Sequence, residues 1–306
     1  MIVYDIQKLT KRYDGQATPA NDQISLQINQ GEIFGFLGDN GAGKSTLVKQ
    51  MVNLLRPTAG QVLLHGQPVS AHPQLTTLHV GYMPQSWQAL NHLTVGEAIY
   101  FTAHLRGLDR RAARAERERL LVLWQLEPLR NKVGRHLSGG ERRLLQISIA
   151  MAGNPPILML DEPTNELSPQ RRRQVWNALR DLNRTQGTTI IFITHDAIEA
   201  EKIIQRVGIL HAGRLVALGT PGALKQQVDQ QLRLELFFAP ETPPMLPPEL
   251  VVQPLDAGRW MVYVERSHLE SVMSCLDQNQ IDDFRFYSAT LEDLYIHYAT
   301  EETAAG

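Results

Sequence analysis

Apolar positions fall in two rhythms along the chain. GEIFGFL (31–37), ILML (157–160) and TTIIFI (188–193) are short and nearly all apolar, as strands buried on both faces of a parallel sheet must be. QVLLHGQPV (61–69), LHVGYMP (78–84) and RVGILHAGRLVALG (206–219) predict further strands, and MIVYDIQKLTKRYDG reads as a first strand, with no apolar stretch long enough for a signal peptide. Helical spacing takes over elsewhere. Leu47, Met51 and Leu54 or Leu55 recur at helical intervals until Pro57 stops them. Residues 88–152 are helix-rich, with TVGEAIYFTAHLRGL and RRAARAERERLLVLWQL as their clearest segments, and a further helix begins at Ser168. This alternation predicts an α/β fold with a parallel-sheet core and a helical insertion over about 88–152.

After about residue 225 the pattern changes. LRLELFF predicts a strand, and prolines at 240, 243, 244, 247 and 248 exclude a central strand or helix, leaving a linker or long turn. Beyond it VVQPL, the turn DAGR, WMVYVE, a helical SHLESVMSCLDQ, FRFYS and a last helix TLEDLYIHYA predict a small α/β module. The expected organisation is therefore one domain over 1–225 and a small accessory domain over 226–306. No stretch approaches the length of a membrane span.

Three segments carry chemistry. GDNGAGKST (38–46) satisfies GxxxxGK[ST] and lies between a strand and a helix. Gly38, Asp39, Asn40, Gly41, Ala42 and Gly43 supply a loop whose N–H groups can turn toward phosphate oxygens. Lys44 reaches the terminal phosphates, Ser45 offers a hydroxyl to Mg²⁺, and Thr46 continues into the helix. ILMLDEP ends an apolar strand in two carboxylates, Asp161 placed to hold Mg²⁺ and Glu162 to polarise a water. LSGGERRLLQ (137–146) puts Ser138, Gly139 and Gly140 at the start of a helix, an anion-binding N-terminus or an ordinary Ser cap, with Glu141 next.

In this order the three motifs resemble the ATP-binding cassette ATPases, the phosphate-loop NTPases whose signature reads LSGGQ; the resemblance covers residues 1 to about 225. It implies ATP sandwiched between two such domains, in a homodimer or a pair of paralogues, and membrane-spanning permease subunits as partners, with the chain peripheral on the cytoplasmic face. By resemblance Tyr13 stacks on adenine, Gln85 in YMPQ touches the metal and faces the membrane partner, Glu162 is the general base, and His195 in FITHD contacts the γ-phosphate. Ser138, Gly139, Gly140 and Glu141 would cap the nucleotide of the other protomer. TVGEAIYFTAHLRGL and the ending TLEDLYIHYA resemble the exporter branch. One departure stands out. Where the family commonly has Gly-Leu-Asp-Pro, this chain has Glu166, Leu167, Ser168 and Pro169; Ser168 keeps the helix cap, but the carboxylate is gone from that position.

Composition narrows the remaining readings. With 30 Lys and Arg against 32 Asp and Glu, the formal net charge is -2, which gives no electrostatic footprint of a nucleic-acid binder. The arginine runs at 110–119 and 171–173 are expected to be solvated faces. The single cysteine, Cys275, excludes an intrachain disulfide and a Cys-based zinc site. Two rivals stay open: a soluble cassette ATPase acting on ribosomes or DNA, and an ATP-binding regulator that hardly turns over.

Overall fold

A computed structural model describes residues 1–85, 90–194, 201–228, 231–247, 250–265, 268–275, 281–287 and 293–294. The chain forms two compact units, Met1–Leu218 and Gly219–Gly306. The first carries a six-stranded sheet with the order β10-β9-β3-β8-β7-β6, built from β3 (Ile33–Leu37), β6 (Val80–Met83), β7 (Ile157–Asp161), β8 (Thr189–Ile193), β9 (Arg206–His211) and β10 (Arg214–Gly219). From β9 through β6 every pairing is parallel. All five residues of β3, of β7 and of β8 are buried, the two-faced burial that their mostly apolar sequences require.

A second, antiparallel sheet runs β2-β1-β4-β5, from β1 (Ile2–Lys11), β2 (Asn21–Asn29), β4 (Ala59–Leu64) and β5 (Gln67–Pro68). It shares a core with the parallel sheet in which Ile6, Ile28 and Leu64 join Phe34, Phe36 and Met159 around Leu47 and Met51 of α1 (Lys44–Met51). Strand β2 and the short helix α2 (Pro73–His79) are additions to the elements expected from sequence.

The insertion consists of α3 (Val95–Leu105), α4 (Arg110–Trp124) and α5 (Gly139–Met151), and α6 (Pro169–Gln186) follows β7. Thr94 and Glu97 close a reciprocal cap on α3, Asp109 caps α4, and Ser168 caps α6 with Pro169 in its first turn. The arginine runs are only partly the solvated faces expected of them. Glu116 is buried and holds Arg119, which also reaches Asn154, while Arg171 donates to the Trp124 carbonyl and to Gln174. Arg171 thus ties α6 to the end of α4, and Arg119 ties α4 to the loop after α5.

The second unit begins with α7 (Pro221–Val228) and forms a sheet with the order β12-β13-β11-β14, from β11 (Gln231–Phe237), β12 (Val251–Asp256), β13 (Arg259–Glu265) and β14 (Asp283–Tyr287), with helix α8 (Leu269–Cys275). Its three pairings are antiparallel. Leu234, Leu236, Val262 and Val264 make a core with Val272 of α8. The proline-rich stretch does not run free, because Leu246 and Leu250 pack on that core. Of the last helix expected from sequence only Asp293 and Leu294 lie among the described residues; Leu294 is buried and Asp293 pairs with Arg233.

Candidate functional site

The end of β3 opens into the glycine-rich loop, and the loop's backbone explains its glycines. Gly43 has φ of 99°, and the space that a Cβ would take there is filled by the Ala20 carbonyl and the Asn21 amide. Any other residue at 43 would push α1 away from β2. Lys44 lies buried at the start of α1, its Nζ donating to the carbonyls of Gly38 (2.5 Å) and Asp39 (2.9 Å). Burial holds its pKa below the usual lysine range, against the opposing fields of Glu162, Asp161 and Asp39. The next side chain, Ser45, donates from Oγ to Oδ2 of Asp161 at 3.1 Å.

Asp161 and Glu162 stand where β7 ends, both nearly out of solvent. Burial raises the Asp161 pKa, opposed by the Ser45 hydrogen bond and reinforced by Glu162. Glu162 takes a left-handed backbone, φ 53°, while its N–H donates to the Ile193 carbonyl at the end of β8. A left-handed backbone is uncommon for a residue other than glycine, and here the hydrogen bond to Ile193 helps to hold it.

These groups share one cavity of about 410 Å³, lined by Ala20, Asn40, Gly41, Gly43, Lys44, Ser45, Thr46, Gln85, Asp161, Glu162 and Ile193. Most of the glycine-rich loop, the two carboxylates and Gln85 thus share one cavity, which Gly38, Asp39 and Ala42 do not line. Tyr13 stands beside them, half-exposed, with its hydroxyl 3.5 Å from Thr46 Oγ1 and Lys11 over its ring. Ser138, Gly139, Gly140 and Glu141 do not line this cavity. Ser138 Oγ instead accepts from the Glu141 N–H, and the Glu141 carboxylate accepts from the Ser138 N–H (2.8 Å) and from Lys132 (3.1 Å). That reciprocal cap lowers the Glu141 pKa, chiefly through the Ser138 backbone hydrogen bond. His195 lies outside the described residues.

Sequence reasoning missed three contributors. Asn21, fully buried, donates from Nδ2 to the Gly43 carbonyl (3.1 Å) and accepts from Gln50 Nε2 (2.8 Å), so it fixes the last turn of the loop from below. Arg143 of α5 is buried near the same carboxylates. Glu166, noted in the sequence only as a departure, packs its carboxylate against Gly139. The two oxygen donors on the wall, Ser45 Oγ and Asp161 Oδ2, are the hard ligands that Mg²⁺ selects, and Asp161 is a carboxylate whose burial a cation would relieve.

A second concavity of about 350 Å³ lies in the same unit, lined by Val52, Leu54, Val80, Tyr82, Phe101 and Leu105 among others. Leu54 and Leu105 are 68% and 82% exposed there. The hydroxyl of Tyr82, a residue that lines this groove, is buried without a hydrogen-bond partner among the described residues.

The model of the family described as ABC transporter matches residues 21–165. The Nod factor export ATP-binding protein I of Burkholderia pseudomallei is 39% identical over 221 residues, covering 72% of this chain and 71% of that protein. The human retinal-specific phospholipid-transporting ATPase ABCA4 is 36% identical over 231 residues, covering 76% of this chain, and the chain spans only 10% of that relative's length. Among solved structures, an ATP-binding subunit of an ABC transporter superposes with a TM-score of 0.67 at 27% identity, covering 74% of this chain and 92% of that one. A dimeric bacterial ABC transporter cassette gives 0.66 at 25% identity, with 71% and 98% covered.

Proposed function

The chain belongs to the ATP-binding cassette transporter family, and on that premise we propose that it is the ATP-hydrolysing subunit of an exporter whose membrane-spanning subunits are other chains, seated at the cytoplasmic face. The observation that carries this reading is the single cavity holding Lys44, Ser45, Asp161 and Glu162 together. Lys44, tethered on two loop carbonyls, is placed to exchange them for phosphate oxygens, and the loop N–H groups and the N-terminus of α1 add positive potential there. Tyr13 offers its ring to the base. Ser45 and Asp161 would hold Mg²⁺ with Gln85 at the cavity wall, and the ion would neutralise phosphate charge. Glu162 orients and deprotonates the attacking water, and His195, by family resemblance, contacts the γ-phosphate.

The loop formed by Ser138, Gly139 and Gly140 is left to cap a nucleotide held by a second cassette, so hydrolysis competence requires a dimer. Work comes from ATP binding the closed pair better than the open one; the membrane subunits feel that difference. Exporter direction is supported by the relative named for export. The apolar groove containing Leu54, Phe101 and Leu105 supports a membrane partner, since exposed apolar concavities mark interaction surfaces.

Glu162→Gln is expected to lower multiple-turnover phosphate release by about a hundredfold or more while ATP affinity is retained, the loss typical of a removed general base. Unchanged turnover would remove Glu162 from that role. A second reading, an ATP-binding regulator of low turnover, is favoured by Ser168 where the family has a carboxylate. Phosphate release from the wild-type chain no faster than from Glu162→Gln would select it.

A further inference from the structure

The first turn of α5 carries more negative charge than a turn that meets phosphate should. LSGGERRLLQ has Glu141 where the signature it resembles has Gln. The Glu141 carboxylate closes the cap on the Ser138 N–H (2.8 Å), and chiefly that hydrogen bond holds its pKa below the usual carboxylate range, so it is ionised at neutral pH. A second carboxylate, that of Glu166, fills the space a Cβ would take at Gly139. Like charges set against an incoming anion oppose its binding.

A cation is built against this turn. Lys132 donates from Nζ to Glu141 Oε2 at 3.1 Å, the same oxygen that accepts from the Ser138 N–H. The backbone that carries Lys132 is fixed: its N–H donates to the Leu129 carbonyl (2.8 Å), its carbonyl accepts from the Val95 N–H (3.0 Å), and Val133 bridges to Thr94. Residue 132 thus ties the starts of α3 and α5 together, one through its carbonyl and the other through its ammonium. For stability the pair matters little, because the two side chains are 38% and 32% exposed, and ion pairs open to solvent contribute next to nothing. Its weight falls on charge, since one carboxylate of the turn is neutralised where it stands.

We infer that Lys132 is a positioning residue for the cap across the dimer: by holding and neutralising Glu141, it lets the Ser138 turn of one chain accept the terminal phosphate of ATP bound to a second copy. Lys132 touches no nucleotide in this scheme. It acts through Glu141, keeping that carboxylate in the helix cap and offsetting its field as two cassettes close and water leaves between them, where charges are felt more strongly. The inference rests on the reading that this turn caps the nucleotide of a second cassette. It names the charge condition under which a chain with Glu at 141 can do so.

The test is ATP-dependent dimerisation of the full chain, followed by light scattering in the Glu162→Gln background, to which K132M, K132R, E141Q and K132M/E141Q are added. K132M is expected to raise the ATP concentration for half-dimerisation about tenfold at low salt and less than about threefold in about 0.5 M salt, because screening removes a repulsion. Its urea midpoint, and its ATP affinity at dilutions where the chain stays unpaired, are expected to match the parent. K132R keeps the charge at a contact made to one oxygen and is expected to stay within about threefold of the parent. E141Q keeps the helix cap and removes the charge, so it should dimerise at lower ATP than the parent. K132M/E141Q should match E141Q, since a lysine that acts through Glu141 then has nothing to act on. A K132M that dimerises like the parent would overturn the inference. So would a defect undiminished by salt, a K132R as impaired as K132M, or a double variant as impaired as K132M. If the Glu162→Gln chain forms no dimer with ATP, the capping reading falls and takes this inference with it; if it does, a silent K132M sinks this inference alone.

Discussion

Each residue of the glycine-rich loop has a local reason to be what it is, and local reasons are visible in sequence. The spacing GxxxxGK[ST] is what a strand, a tight anion-binding turn and a helix start impose on a chain, so Gly38 to Thr46 could be assigned without coordinates. Asn21 had no such trace. It sits 22 residues before Gly43 and acts only because β2 brings it under the loop, where it joins the Gly43 carbonyl to Gln50. Arg143 was hidden for the same reason, since an arginine after a helix cap reads as surface until its burial is seen. Asn21→Ala would leave a buried carbonyl and the Gln50 amide short of partners, so a loss of about 2 kcal/mol in stability is expected. Urea denaturation measures it, and a titration with ATP should show weaker binding in the same variant. A midpoint and an affinity both at wild-type values would mean that the loop holds its shape without Asn21.

Elements buried on both faces announced themselves; elements that owe their place to one another did not. β3, β7 and β8 are apolar but for Thr189 and Asp161 at their ends, because little else survives between two layers. The alternation of Ile24, Leu26 and Ile28 in β2 marks a half-buried strand, yet its pairing with β1 is a long-range choice that the pattern does not name. Helix α2 escaped because PQLTTLH has no apolar stripe; only Thr76 of it is buried. The joint between α3 and α5 is another case of mutual dependence. Arg106, at the end of α3, donates from Nη1 to the carbonyls of Ile149 (3.1 Å), Ala150 (2.8 Å) and Ala152 (2.5 Å), satisfying the open end of α5, and burial pushes its pKa down to about 10. It remains charged at neutral pH. Arg106→Ala removes three charge-assisted bonds from groups that water cannot reach, which predicts a loss of about 3 kcal/mol. Since α5 begins with the signature residues, its loosening should slow phosphate release as well; equilibrium unfolding with unchanged stability would show that another group closes the helix.

At the scale of the molecule the question is how a nucleotide site drives a membrane event. Among the described residues no helix is long and apolar enough to cross a bilayer. Under the proposed function a membrane-spanning partner is gripped by a surface of this chain, and the groove at the ends of α1 and α3 has the character such a grip needs. Leu54, Phe101 and Leu105 are large, apolar and exposed around a concavity that a short helix or loop end could fill. Tyr82 lines that groove on β6, the strand beside β7, and its pKa is raised first by burial and then by the field of Asp161. The groove thus reaches the strand paired with the one that ends in Asp161 and Glu162. Leu105→Glu places a charge in the groove at a side chain 82% exposed, where stability and ATP affinity are expected to stay at wild-type values. With the Glu162→Gln chain as bait in gently solubilised native membranes, a polytopic membrane protein should co-purify, and adding Leu105→Glu should abolish its recovery. Undiminished recovery would place the grip elsewhere on the chain, and recovery of ribosomal or DNA-associated proteins alone would transfer the ATPase to a soluble role.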